Sequence, residues 1–277
     1  MNITKPFLLA ATAFTAVTAA APSYAQSAGD AADVREGDTA ASRVIVFGDS
    51  LSDGGFFAAL GAAAPGGGSF TTNPDPVAPE VFSSQLGLTL DPVYGKNGTN
   101  YAVGGARVTA PNGFAPSITT QIDRYLASGS FRAGDVVYIQ GGGNDYFAFL
   151  AGGGANPAIL TNAADALAAQ VARLEQAGAP TIITMSVQSG GAAPLQAYNA
   201  RYKAQLAAQG SNVLYFDTDK LFNELVVDAA SFGITNVTGQ ACTTASSLNC
   251  TRNTLVSPNA NNTYILADSV HPAGISQ

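Results

Sequence analysis

Val44-Ile45-Val46-Phe47-Gly48-Asp49-Ser50-Leu51-Ser52-Asp53 is the stretch from which the fold can be read. Four apolar residues, three of them β-branched, run without a polar break into a glycine. Such a run suits a strand buried on both faces, as in a parallel sheet. Three further runs read the same way: Asp135-Val136-Val137-Tyr138-Ile139, Thr181-Ile182-Ile183-Thr184-Met185 and Val213-Leu214-Tyr215-Phe216. Helical periodicity fills the gaps between them. Leu160, Ala164, Leu167, Val171 and Leu174 recur at spacings of three and four, and Gly178 and Pro180 end that helix. Leu195, Tyr198, Tyr202 and Leu206 predict a second, Asp217 to Val227 a third, and Ile118, Ile122, Tyr125 and Leu126 a shorter one before Gly129. Strands alternating with helices imply a single three-layer α/β/α domain, its mostly parallel sheet covered on both faces. Gly61 to Ser69 reads as a flexible insertion within it.

The 277 residues suit one large domain or two small ones, and at 47% hydrophobic they can bury a sizeable core. Only 11% are charged, well below the usual share, which leans toward an exported protein. The net charge of -7, with no Lys/Arg cluster, argues against a nucleic-acid partner and against anionic membranes. Lys5, the apolar run Phe7 to Ala21, and small residues at Ser23 and Ala25 read as a signal peptide over residues 1–25, cleaved after Ala25. The apolar run is too short for a stable membrane span. Residues 26–42 read as a polar, disordered lead-in, and the folded part starts at Arg43. Cys242 and Cys250 lie close together in a Thr/Ser/Asn-rich stretch. In an oxidising compartment they predict a local disulfide, and with no histidine nearby they argue against a zinc site.

In open parallel sheets, ligands collect beyond the carboxyl ends of the strands. There the first strand leads into Gly48-Asp49-Ser50 and the second into Gly141-Gly142-Gly143-Asn144-Asp145. Ser50 is a candidate nucleophile, which needs a base to take its proton. The chain holds one histidine, so any Ser-His pair must use His271. Asp268, three residues earlier, is placed to hold one ring nitrogen protonated and free the other. The loop lacks the G-x-S-x-G pattern of the α/β-hydrolase elbow, and the chain carries no P-loop, dinucleotide fingerprint, zinc-protease motif or EF-hand loop.

Phe47-Gly48-Asp49-Ser50-Leu51-Ser52-Asp53 resembles the first block of the GDSL lipases and esterases, also called SGNH hydrolases. Asn100-Tyr101-Ala102-Val103-Gly104-Gly105-Ala106 resembles their second block, Gly142-Gly143-Asn144-Asp145 the third, and Asp268-Ser269-Val270-His271-Pro272 the last. The blocks stand in the family's order and span Phe47 to Pro272. The resemblance implies a flavodoxin-like sheet over residues 43–277, no cofactor, and a hydrolase acting on carboxylic esters. It implies Ser50 as nucleophile, His271 as base and Asp268 as its orienting group. An oxyanion hole would comprise the N–H of Ser50, the N–H of Gly105 (Gly104 being the near alternative) and the side-chain amide of Asn144. Asp49, Asp53 and Asp145 are read as loop supports.

The late cysteine pair and Tyr264 to Pro272 resemble the secreted bacterial branch, which includes autotransporter esterase passengers. A secreted, cell-surface or periplasmic location in a Gram-negative bacterium follows from that resemblance. Family members continue past the histidine into a closing helix, whereas this sequence stops at Gln277. The expectation is therefore a fragment, or a passenger cut before a barrel. The expected substrates are short- to medium-chain acyl esters or lipids. A polysaccharide O-deacetylase is the alternative within hydrolases, against which the absence of Trp leans. A surface-binding module without activity is the alternative outside them. Phe56 to Leu60 reads equally as an acyl-pocket lining and as ordinary helix core.

Overall fold

In the computed structural model, which describes residues 40–277, the four apolar runs become four parallel strands: β1 (Arg43–Phe47), β2 (Asp135–Ile139), β3 (Thr181–Met185) and β4 (Leu214–Phe216). They pair in the order β1-β2-β3-β4. Residues 99–103 run along the free edge of β1: Val46 N–H donates to Thr99 O, Tyr101 N–H to Val46 O and Val103 N–H to Gly48 O. Counted with this edge, the spatial order is second, first, third, fourth, fifth in chain order. That is the flavodoxin-like arrangement, and it puts the second sequence block beside the first. The expected leader and most of the expected lead-in lie outside the described residues. At the lead-in's end, Ser42 N–H already donates to Gly134 O.

Period-two alternation sorts the strand residues into two cores. Ile45, Phe47, Val137, Ile139 and Ile182 face one way. They meet α1 (Ile118–Ser128), α2 (Gly143–Ala151), α3 (Ala158–Gln176) and α4 (Ala193–Gln209). The predicted stripe Leu160, Ala164, Leu167, Val171 and Leu174 is wholly buried there. Ser117 caps α1 by accepting Thr120 N–H, and Gly210, left-handed at φ 68°, ends α4. Val44, Val46, Val136, Tyr138, Ile183 and Met185 face the other way, against Phe82 and Leu88.

Helices cover this second face as expected but only in part, the helix Ala78–Gln85 bringing Phe82 against it. The helix Thr218–Val227 buries none of its residues fully, and Phe216 on β4 is 53% exposed. An apolar groove of about 450 Å³ remains, lined by Tyr138, Met185, Phe216, Phe222, Leu225 and Ile275 among others. No described helix is long and apolar enough to cross a membrane.

Two features escaped the sequence reading. A parallel pair, β5 (Asn236–Gln240) and β6 (Tyr264–Leu266), stands apart from the main sheet. The glycine-rich insertion is also not a free loop. Ala64 N–H donates to Asn249 Oδ1 and Gly68 N–H to Leu248 O. A Cβ at Gly67 would fall 2.4 Å from Leu248 O, so glycine lets two backbones touch.

Candidate active site

Ser50 is the third residue after β1 and stands at the carboxyl end of the sheet. The turn carrying it is held from both flanks. Ser52 N–H donates to Asp49 O, and Gln140 Nε2 and Leu51 N–H donate to Asp49 Oδ1. Burial raises the Asp49 carboxyl above the usual range, against those two donors. Behind the turn, Gln121 of α1 mimics a peptide: its Oε1 accepts Gly48 N–H and its Nε2 donates to Gly48 O, each at 2.9 Å. The sequence offered no signal for Gln121, which sits 73 residues away on a helix read only by its apolar face.

His271 lies in a turn directly after β6. Ala267 N–H donates to His271 O, closing the turn. Asp268 Oδ1 accepts Val270 N–H and His271 N–H from inside it. The same carboxylate reaches His271 Nδ1 at 2.9 Å, and His271 Nε2 stands 2.9 Å from Ser50 Oγ. Burial alone would raise Asp268. Its bonds to His271 and to Ser247 N–H outweigh that and hold the carboxyl well below the usual range. Residues 221 positions apart, chosen on sequence, therefore meet in one hydrogen-bonded chain.

Asn144 begins α2, just past β2. The approach is tight: a Cβ on Gly142, at φ 111°, would fall 2.3 Å from the Tyr198 ring. Asn144 Nδ2 donates to Ala106 O, and Asp145 accepts from Val108 N–H and Arg107 Nε. These bonds tie the third block to the second. The choice between Gly104 and Gly105 also acquires a physical basis here. Gly104 N–H is taken up by Asp53 Oδ2 at 2.7 Å. The N–H groups of Ser50 and Gly105 have no acceptor among the described residues.

Phe70, directly after the insertion, lies against His271 with ring centroids 4.8 Å apart, and Phe57, Phe56 and Tyr94 continue the aromatic row. Of the stretch Phe56 to Leu60, Phe56 is core, Phe57 joins this row and Leu60 is 57% exposed. Cys242 and Cys250 form a disulfide. Among the described residues, no cluster of three or more His, Cys, Asp or Glu is arranged to hold a metal.

The chain is similar to known proteins. The chain is 30% identical to proteins named Esterase EstA from Pseudomonas aeruginosa and from Pseudomonas putida, over 83% of its length and 44% of theirs. It is 35% identical to Lipase 1 of Photorhabdus luminescens, over 54% of its length and 23% of that protein's. It thus spans less than half the length of these curated relatives. A family described as GDSL-like lipase/acylhydrolase matches residues 44–274, nearly the whole described chain and all four blocks. The chain belongs to the GDSL-like lipase/acylhydrolase family.

Proposed function

We propose that this chain is a serine hydrolase of carboxylic esters, with Ser50 as nucleophile. The observation that carries the reading is the unbroken series Ser50 Oγ, His271 Nε2, His271 Nδ1, Asp268. An ionised Asp268 can only accept, so the facing Nδ1 carries the proton and Nε2 is left to accept from Ser50. Ser50 Oγ attacks the ester carbonyl carbon while its proton passes to Nε2. The resulting imidazolium is stabilised by Asp268 and returns that proton to the departing alcohol. Water, deprotonated the same way, then releases the acid from Ser50. The tetrahedral oxyanion is assigned to three donors: Ser50 N–H, Gly105 N–H and the second Nδ2 hydrogen of Asn144. No step requires a metal or cofactor.

The row Phe70, Phe57, Phe56 and Tyr94 beside His271 is apolar and favours an acyl group over a sugar as the neighbour of the reacting carbon. The substrate class proposed is short- to medium-chain acyl esters, including lipids. Export rests on the N-terminal sequence and on the disulfide, which persists in oxidising compartments.

The test is hydrolysis of p-nitrophenyl acetate, butyrate and octanoate beside Ser50→Ala and His271→Gln. Turnover should vanish in both variants, since no second histidine exists to substitute. Undiminished turnover in either would overturn the mechanism. Release of acetate from acetylated xylan, with no action on butyrate, would move the assignment to a polysaccharide deacetylase.

A further inference from the structure

The two oxygens of Asp268 are held in different ways. Oδ1 takes its backbone donors, Val270 N–H and His271 N–H, from its own turn. Those bonds would travel with the turn if it shifted. Oδ2 takes its only backbone donor from Ser247, 21 residues away, at 2.6 Å. One local point and one remote point together fix the plane of the carboxylate. That plane fixes the imidazole ring.

Ser247 lies within the short loop closed by the Cys242–Cys250 disulfide. One end of that loop is anchored beside Asp268. The β5–β6 ladder continues past its strands, Ala241 N–H donating to Leu266 O and Cys242 N–H to Ala267 O. At the other end, Cys250 N–H donates to Ser247 O. The glycine-rich insertion and the residues just after it brace the loop from outside, through Gly68 N–H on Leu248 O and Asn73 Nδ2 on Ser247 O. Ser247 and Cys250 are wholly buried.

We propose that Ser247, through its backbone N–H, is a positioning residue for the Asp268–His271 pair, and that the Cys242–Cys250 disulfide holds it there, making ester turnover sensitive to reduction. The turnover part rests on the reading of this site as a serine esterase. The positioning part can be read without turnover.

Geometry supplies a clean perturbation. Ser247 is the first residue of a 3-10 turn, preceded by Ser246 at φ -135°, ψ 137°. Proline is favoured at such a first position, and the residue before it suits a proline's neighbour. Ser247→Pro therefore deletes the N–H donated to Asp268 and retains the local backbone, whereas Ser247→Ala retains the N–H. A hydrogen bond to a charged group typically contributes enough to make its loss roughly a tenfold effect. The expected result is a kcat about tenfold lower in Ser247→Pro than in Ser247→Ala, with KM within about twofold. In a second arm the wild-type protein is treated with dithiothreitol, whose two thiols close to a cyclic disulfide as Cys242 and Cys250 become thiols. Opening is verified by mass after alkylation.

The spectroscopic readout is unambiguous because the chain has one histidine. The downfield Nδ1–H proton resonance of His271 should broaden and move upfield in Ser247→Pro and in the reduced protein. Equal kcat and an unchanged resonance in folded Ser247→Pro would refute the role of Ser247. Should that variant not fold, an unchanged resonance after verified reduction would refute the proposal. A protein that turns over no ester, yet shows the resonance change, would sink the esterase reading and leave the positioning role standing.

Discussion

Replacing Gln121 with Met tests whether the nucleophile turn is fastened by a side chain acting as a peptide. Gln121 is wholly buried on α1, so no water stands ready to replace its amide. Met has a similar volume and leaves the packing nearly intact. What disappears is one acceptor for Gly48 N–H and one donor to Gly48 O. The two losses are unequal. Gly48 O still accepts Val103 N–H, so it forfeits one ordinary bond, about 0.5–1.5 kcal/mol net. Gly48 N–H has no other acceptor and is left buried and bare, at about 1–3 kcal/mol. The sum is about 1.5–4.5 kcal/mol, which for a domain of this size lowers Tm by roughly 3–18 °C. Urea unfolding of wild type and Gln121→Met measures it directly. A difference under about 0.5 kcal/mol, the level of an ordinary surface change, would refute the reasoning.

Gln121→Glu sharpens the test through its sign. A protonated carboxyl offers one donor and one acceptor, as the amide does, whereas a carboxylate would oppose Gly48 O. The folded state therefore holds that proton more tightly than the unfolded chain does. The stability of Gln121→Glu relative to wild type should be greatest in acid and fall as pH rises through the raised pKa. A pH-independent difference would show that the two bonds to Gly48 do not matter.

Asn144→Ala should lower kcat by roughly 100- to 1,000-fold with little change in KM, measured on p-nitrophenyl butyrate, because it removes one proposed oxyanion donor. Gly105→Ala meets no close atom, its nearest being Asn112 Nδ2 at 3.6 Å. It strains a backbone at φ 87° and should cost activity with about 1–2 kcal/mol of stability. Gly104→Ala instead drives a Cβ to 2.3 Å from Phe70, so it should disturb the aromatic row and raise KM. Burial pushes Asp53 up to about 6, against the three N–H groups it accepts. Its contribution to stability is thus full below about pH 4 and declines as pH rises through about 6, by roughly 3 kcal/mol in all. The stability advantage of wild type over Asp53→Asn, followed by urea unfolding, should shrink across that window, and a constant difference would contradict it. Asp268, with its carboxyl lowered, works in the opposite sense and adds stability that is lost on acidification.

The division between what the sequence disclosed and what it hid follows from how each group acts. β1 to β3 were legible because strands buried on both faces are largely apolar, which leaves runs such as Val44 to Phe47 and Val136 to Ile139. β5, with the sequence Asn-Val-Thr-Gly-Gln and none of its residues buried, carries no such signature. α2 was hidden by Gly141-Gly142-Gly143, which read as a loop. Gly142 is there because Tyr198 presses against the backbone, and a Cβ on Gly141 would meet Ile118, contacts known only once α4 and α1 are in place. The part given to Asn144 came from the resemblance of its block, whereas Ser50, Asp268 and His271 were legible because their side chains carry chemistry that few residue types supply, and the lone histidine left no other pairing. Gln121 and Ser247 were not. Gln121 satisfies a peptide group rather than a substrate, and Ser247 contributes an N–H that nearly every residue possesses. A search for side-chain chemistry therefore finds the groups proposed to react and passes over the backbone that holds them. The preference for Gly105 over Gly104 shows the same limit. Both are glycines in one block, and only the Asp53 carboxylate on the Gly104 N–H, 51 residues distant, separates a structural donor from a free one. Positioning in this fold is carried by peptide groups held at long range, so substitutions that change backbone hydrogen bonding at Gly48, Gly104 and Ser247 should affect turnover more than most changes to surface charge.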